Sequence, residues 1–575
     1  MKHLVLILDD TGYAGMSPFA HLLPDYVGDV IKQANTPVFQ AQADAGVLFE
    51  RGYMNAVCGP TRTTFYTGRH GFRSGIGTNV FITDETGPDE NDPWLPRQLT
   101  SHACGVFGKW HLVSNNNGAA NAPLASAQFD KHWGTQGNLV SNAGEDYFNW
   151  FSLVDGVLGT VGSPLGTAVA GTTHDHSADT FTRASGSWLD DGVVVGTTFS
   201  CSGWSGANLN GNQFTVSAVT ATEITYTPSV AATETGGTVT LNKTRAADNY
   251  STTKIFDEAQ TWIQAQSGDW LAVVCMHAGH TPYTQPPTGA ERTTAGLPSI
   301  YPATGSLEAI VQAFSDSNEA FLEANGWGAS DVTALRRDFL ATFLASIQAV
   351  DTEFGRFLTA LEGSGDVDLD PTTGDTQLWI FADNGPTFDI IETPPQDGSH
   401  AKGTMYELSV RCPMIVRGRG VTAQGETCPR LIQPVDIYRT ILATEGIDPT
   451  TLYPSLEFDG LDMTPFFSDP KGEPIRTHAY VENFAPNGPI TSVSQTLTQW
   501  TRAIVSEQWK LLTLQPSGPG NGVTYELYNV GGGDWEETYN FLPGNALTRT
   551  ACNQIPEVFA GLQSLIAAES ALLPS

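Results

Sequence analysis

Leu4-Val5-Leu6-Ile7-Leu8-Asp9-Asp10 sets five apolar residues directly against two adjacent carboxylates. An unbroken apolar run of that length suits a strand covered on both faces, and so a mainly parallel sheet between helices. Three further runs share the pattern. Cys104 to Phe107 ends in Gly108-Lys109-Trp110-His111, Leu271 to Cys275 leads to His277 and His280, and Leu378 to Phe381 ends in Asp383-Asn384. In open α/β sheets ligands bind beyond the carboxyl ends of the strands. Four strands with polar residues at the same end therefore predict one site assembled from residues hundreds of positions apart.

Helical stretches lie between these runs. Thr253 to Gln266 places Ile255, Phe256, Ala259, Trp262 and Ile263 on one stripe, with Gly268 as the expected stop. Asp331 to Leu361 carries a longer apolar face through Leu335, Phe339, Phe343, Ile347, Phe354 and Leu361, with Gly355 as a point of interruption. From about Ser177 to Ala246 the composition shifts to Thr, Ser, Gly and Val with few charges. There Phe214 to Val219, Glu223 to Thr227 and Thr238 to Leu241 read as short strands of an inserted β-domain. Trp509 to Leu512 and Tyr525 to Tyr528 read as antiparallel strands near the C-terminus. The expected organisation is a catalytic α/β domain over 1–176 and 247–455, an insertion over 177–246 and a smaller antiparallel subdomain over 456–575.

With 575 residues, 40% hydrophobic, 59 Gly and 34 Pro, the chain suits a large, loop-rich globular protein. No stretch approaches the roughly 20 apolar residues needed to span a bilayer. No signal peptide is apparent, so a cytoplasmic location is expected, or a periplasmic or secreted one if a leader has been removed. A formal charge of −33 argues against nucleic acid, anionic membranes and long polysulfated chains as partners. The seven cysteines show no zinc-like spacing, and a reduced state is expected, although Cys412 and Cys428 could pair across a loop.

The chemistry concentrates around Cys58-Gly59-Pro60-Thr61-Arg62 and the following Thr63 to Arg69. Proline is accommodated in the first helical turn, so Cys58 belongs at or just before a helix N-terminus. Arg62 falls one turn later, its guanidinium returning toward the Cys, and Gly68 is placed as a left-handed cap. Backbone N–H groups and a fixed cation at that end favour an anion. Asp9, Asp10, Asp383 and Asn384 supply hard oxygen ligands at two strand ends, where a divalent cation would relieve repulsion between carboxylates. Helix capping by Asp10 and a simple turn at Asp383-Asn384-Gly385 are the alternatives. His174-Asp175-His176 has metal-ligand chemistry but reads as a polar loop at the insertion's edge.

Cys-x-Pro-x-Arg followed by Thr-Gly-Arg resembles the motif of the type I sulfatases, in the alkaline phosphatase superfamily. The resemblance covers most of the chain, including a four-stranded C-terminal subdomain. It implies oxidation of Cys58 to formylglycine by a formylglycine-generating enzyme, the hydrated aldehyde being the nucleophile. It implies a divalent cation, calcium with magnesium open, on Asp9, Asp10, Asp383 and Asn384. Lys109 and His111 match the family's Gly-Lys-Trp-His-Leu: Lys109 to bridge the diol and a sulfate oxygen, His111 to serve as base. His280-Thr281-Pro282 resembles the family's His-x-Pro, and its following proline favours His280 over His277 for the leaving group. Lys402 matches the family lysine that assists departure, although Leu408-Ser409 departs from the Gly-Gly frequent there. The implied activity is hydrolysis of a small-molecule sulfate ester. A phosphonate monoester or phosphodiester hydrolase using the same nucleophile is the nearest alternative, and a vestigial hydrolase serving as a binding protein a more distant one. Oligomeric state is left open.

Overall fold

The computed structural model describes residues 1–23, 31–81, 87–112, 129–139, 145–161, 247–299, 307–327, 334–392, 396–491, 497–514 and 524–532. It also describes most of 168–241, with 537, 561, 564–568 and 571–572. Cys552 and the expected helix start at Asp331 lie outside the described residues.

Ten strands form the main sheet. Across it run Glu426–Ile432, Val47–Tyr53, Arg411–Gly418, Thr376–Ala382, Lys2–Leu8, Trp270–Cys275, Ala103–Lys109, Lys131–Thr135, Trp150–Val154 and Val157–Val161. The four apolar runs are neighbours in its centre and parallel, with Leu4 opposite Leu378 on one side and Ala272 on the other. Thr376–Ala382 and Trp270–Cys275 are buried along their full length, the condition under which unbroken apolar runs make strands. Antiparallel strands extend the sheet on both sides. Because the central strands point the same way, Asp9, Lys109, His277 and Asp383 emerge at one edge.

Helices flank the sheet. Ser251–Gln264 buries Ile255, Phe256, Ala259 and Ile263 and packs on Ala334–Ser364. It stops at Gln264 with Ala265 in the right-handed region, so Gly268 is not its cap. Ala334–Ser364 runs through Gly355 without a break. A Cβ there would come 2.8 Å from a methyl of Val38, so this glycine serves close packing of the helix Pro37–Asp44 rather than interruption.

A seven-stranded antiparallel sheet occupies the insertion, with its own core of Phe181, Trp188, Phe199, Phe214, Tyr226 and neighbours. It takes in Ala168–Ala170 and Thr172–Asp175, N-terminal to the expected start at 177. His174 is structural there: its Nε2 pairs with the Tyr226 hydroxyl at 2.6 Å and its Nδ1 accepts from the Glu234 N–H. His176 Nδ1 pairs with Thr233 Oγ1 at 2.8 Å. A four-stranded antiparallel sheet, Ala479–Ala485, Gln499–Val505, Lys510–Leu514 and Thr524–Tyr528, packs through Val481, Ala503 and Leu512 onto Tyr53, Met405 and Val410. Cys412 and Cys428 are free and buried, as are Cys58, Cys104, Cys201 and Cys275. Among the described residues no helix is long and apolar enough to cross a membrane.

Candidate active site

The helix Cys58–Thr67 is buried from end to end. Its first residue is Cys58, and its C-cap is Gly68 at φ +68°. A Cβ on Gly68 would lie 2.3 Å from the Tyr438 ring, so both backbone and space demand glycine. Asn79 Oδ1 accepts from the Gly59 N–H at 3.0 Å, anchoring the helix start.

Cys58 Sγ lies 3.2 Å from Lys109 Nζ, 3.3 Å from Lys402 Nζ and 3.4 Å from Asp9 Oδ1. Lys109 also ion-pairs with Asp9, and Lys402 with Asp10. Burial and the nearby Asp383 and Asp9 push the thiol up to about 12, against the pull of Lys109 and Lys402. Burial beside these carboxylates disfavours the thiolate, the reactive form of cysteine. Arg62 does not turn to the thiol. Its Nε donates to Asp383 Oδ2 at 3.0 Å, its Nη2 lies 2.9 Å from the same oxygen, and its Nη1 donates to the Lys109 carbonyl at 2.6 Å. A buried guanidinium needs an ionised partner, and Asp383 offers one that the thiol does not.

Asp9, Asp10, Cys58 and Asp383 converge so that one ligand atom from each lies within 4.8 Å of the others. Asn384 joins them by donating from Nδ2 to Asp10 Oδ1 at 2.8 Å. Three buried oxygens here, Asp10 Oδ2, Asp383 Oδ1 and Asn384 Oδ1, accept no hydrogen bond. Burying such oxygens without a partner is costly, and hard oxygen donors are what a divalent cation takes. Burial and the charge of Asp9 push the Asp383 carboxyl up to about 6 despite Arg62. Asp9, although buried, is held well below the ordinary range by Lys109, His280, Lys402 and Arg62. Crowded carboxylates of this kind fit a divalent cation held by Asp9, Asp10, Asp383 and Asn384. Capping accounts for neither the orphaned oxygens nor the crowding.

His111 and Asp10 adopt left-handed backbone conformations at φ +63° and +49°. Such strain in non-glycine residues clusters at functional sites. The His111 ring is buried with Nδ1 unpartnered, and burial together with Lys109 and Arg62 holds its pKa well below the usual value. These surroundings favour the neutral form of the imidazole. His280 gives its Nδ1–H to the Thr281 carbonyl at 2.8 Å, presenting Nε2 toward Asp10 Oδ2 at 3.9 Å. His277 turns away, with Nε2 2.8 Å from Thr135 Oγ1, and burial lowers its pKa to about 3. The geometry thus separates two histidines that the spacing left as rivals.

Three supporting residues escaped sequence reading: Asn79, Thr135 and Tyr147. The Tyr147 hydroxyl reaches the carbonyls of His277 at 2.5 Å and His280 at 2.7 Å, fixing the turn between them. Thr135 ends the strand Lys-His-Trp-Gly-Thr, which has no apolar run to flag it.

The sulfatase family profile matches residues 3–447. The chain belongs to the sulfatase family. It is 28% identical over 171 residues to the uncharacterized sulfatase YdeN of Escherichia coli K12, covering 26% of this chain and 30% of that protein. It is 28% identical over 118 residues to an arylsulfatase of Klebsiella aerogenes, covering 19% and 23%. The chain thus spans less than a third of the length of these curated relatives. Among solved structures it resembles BT4656 in complex with its substrate D-glucosamine-2-N,6-O-disulfate, with TM-score 0.55, 17% identity, and 98% and 97% of the two chains covered. It also resembles a Bacteroides thetaiotaomicron protein of glycosaminoglycan metabolism, with TM-score 0.60, 14% identity, and 98% and 94% covered. These likenesses confirm the α/β fold with its smaller antiparallel sheet.

Proposed function

We propose that this sulfatase-family chain hydrolyses a sulfate monoester of a small molecule to an alcohol or phenol and inorganic sulfate, using formylglycine derived from Cys58. The observation that carries the reading is the enclosure of Cys58 Sγ by Lys109, Lys402 and Asp9 at a buried helix N-terminus. Three cations, Arg62, Lys109 and Lys402, face three carboxylates, Asp9, Asp10 and Asp383. A divalent ion held by Asp9, Asp10, Asp383 and Asn384 would make the site net positive, suited to a sulfate ester, and would supply charge favouring an ionised oxygen at position 58. The family commonly uses calcium, which fits the oxygen donor set. A hydrated aldehyde at position 58 would supply one ionised hydroxyl to attack sulfur, and a second whose loss of a proton re-forms the aldehyde as the C–O bond to the sulfated oxygen breaks and sulfate leaves with that electron pair.

The chain's own side chains do the rest. Lys109 and Lys402 stabilise negative charge on the sulfuryl oxygens, an effect worth about 3 kcal/mol per preorganised donor. Arg62 orients the machinery, holding Asp383 and the carbonyl of Lys109. The S–O bond to the leaving group breaks with its electron pair on oxygen, and His280, doubly protonated opposite Asp10, gives the Nε2 proton to that oxygen beside Lys402. His111 accepts the proton of the second hydroxyl. One water is consumed per turnover, restoring the hydrated aldehyde. Maturation requires a formylglycine-generating enzyme as partner. The family profile and sulfatase neighbours do not favour the phosphonate or phosphodiester alternative.

The test is turnover of an aryl sulfate beside an aryl phosphodiester, with the mass of the peptide containing position 58 measured in the same preparation. Cys58→Ala protein, and protein made without the modifying enzyme, should lose nearly all sulfate ester turnover. Equal activity from protein carrying unmodified Cys58 refutes the proposal.

A further inference from the structure

The central strands that deliver the active-site residues also begin together, and a second cluster of ligand-bearing side chains lies at that opposite end. His3 stands at the start of Lys2–Leu8, whose far end leads to Asp9. At ~3.3 Å per residue along a strand, the two are about 20 Å apart. His102 directly precedes the strand Ala103–Lys109, and Glu445 is the C-cap of the helix Pro434–Thr444. The parallel register sets His3 beside Leu271 and Ala103 beside Trp270, which brings the His3 and His102 rings together with centroids 6.1 Å apart. The side chains of His3, His102 and Glu445 are 0%, 1% and 13% exposed. None of the three enters the proposed reaction.

Glu445 Oε1 lies 2.9 Å from His3 Nε2 and 3.4 Å from His102 Nε2. One ligand atom from each residue lies within 4.8 Å of the other two. A tetrahedral zinc ion with bonds of about 2.0–2.1 Å holds its ligand atoms about 3.3 Å apart, so this spacing needs little adjustment. Two imidazoles and a carboxylate are also a donor set that zinc takes. The Met1 carbonyl, 2.9 Å from His102 Nε2, adds an oxygen on the same side, and the Met1 nitrogen lies 3.1 Å from Glu445 Oε1. His3 Nδ1 is buried without a hydrogen-bond partner, so Nε2 is the nitrogen His3 brings to the cluster. Ser101 Oγ, 3.2 Å from His102 Nδ1, orients the second ring from outside. Burial lowers the His3 pKa despite Glu445, favouring the neutral imidazole that a metal requires. Against its own burial, Glu445 is held well below the usual carboxylate range by hydrogen bonds from His102 and His3. The C-terminal end of the helix Pro434–Thr444 adds negative potential that favours a cation.

We propose that His3, His102 and Glu445 bind a zinc ion that ties the starts of two central strands to the helix Pro434–Thr444. Binding releases the Nε2 protons that the two rings share with Glu445 and the Met1 carbonyl. That helix packs against Cys58–Thr67, so the ion braces the scaffold of the active site from the far side of the sheet. The site is independent of the sulfatase reading. The test uses full-length protein without a histidine tag, stripped by a chelator and dialysed against zinc in excess calcium, which occupies oxygen-donor sites and competes poorly for imidazole. Wild-type protein should retain one more zinc per chain than His102→Gln or Glu445→Gln, as read by elemental mass spectrometry. Zinc should raise its unfolding temperature and not theirs. Cobalt(II) in place of zinc should give the wild type the visible absorption of a tetrahedral site, absent from both variants. His21→Ala, which removes an exposed histidine paired with Glu50, should keep the ion. Equal zinc content in wild type and both variants overturns the proposal. So does destabilisation of the variants with no response of the wild type to zinc, the result expected of a hydrogen-bonded cluster only. A wild type with neither retained zinc nor a cobalt band overturns it whether or not the variants fold. Sulfate ester turnover, measured on separate formylglycine-bearing protein, bears on the sulfatase reading and not on zinc retention.

Discussion

Replacing Lys402 by alanine isolates one donor of the proposed reaction. Its ammonium lies 3.3 Å from Cys58 Sγ and pairs with Asp10, in a side chain almost wholly enclosed. The burial that would lower its pKa is outweighed by Asp10, Cys58, Asp9 and Asp383, which hold it well above the ordinary lysine range. It is therefore a fixed positive charge at working pH. Loss of one such donor costs about 2.7–4 kcal/mol of transition-state stabilisation, or roughly 10²–10³ in kcat. If Lys402 also supports the departing oxygen, the loss grows as the leaving alcohol becomes less acidic. The assay is kcat across a series of aryl sulfates of graded leaving-group pKa, with formylglycine content and bound metal measured for each preparation. A loss below tenfold with position 58 oxidised and the metal retained refutes the role. A loss of equal size for good and poor leaving groups confines Lys402 to binding sulfate.

Other outcomes follow from the same geometry. His280→Ala should reduce kcat about 10²-fold or more, whereas His277→Ala, which removes the Thr135 hydrogen bond and ring packing on Tyr147 and Trp150, should cost under tenfold; the reverse order assigns the proton donor wrongly. Gly68→Ala forces a side chain into a left-handed conformation and against the Tyr438 ring, a destabilisation of about 2–4 kcal/mol. A shift below about 0.5 kcal/mol in denaturant unfolding contradicts it. Burial raises the Glu482 carboxyl to about 7, although Phe72 N–H, Tyr480 and Trp500 donate to it. The folded state thus holds its proton more tightly than the unfolded one. Its stability is full below the unfolded value near 4.5 and falls as pH rises through about 7. Glu482→Gln should flatten that fall in thermal unfolding between pH 5 and pH 8, and an unchanged slope excludes Glu482 as its source.

Burial in a central sheet made the fold legible. A strand covered on both faces has no polar face to maintain, so Leu4 to Leu8 and Leu378 to Phe381 stand out as unbroken runs. Their polar ends followed from strand direction. The helix at Cys58 was legible because proline near its start and glycine at its end impose local backbone geometry. Where neighbours rather than local geometry decide, the sequence was silent or misleading. Gly355 looks like a helix breaker and instead admits Val38, while Gly268 follows a helix that has already ended. Tyr147 and Thr135 gave no pattern, since hydrogen bonds of isolated hydroxyls leave no periodic trace.

By itself, the sequence determined the residue types of the site and the strand ends on which they sit, because hydrophobic runs and backbone constraints act over a few neighbouring positions. The pairing of Arg62 with Asp383 rather than Cys58 was decided by the tertiary structure alone. So were the turn of His277 onto Thr135 and the approach of the His280 ring to Asp10. The physical reason is that a buried charge takes the best-placed counter-charge, and a ring the nearest packing surface. Both are set by segments brought together from across the chain.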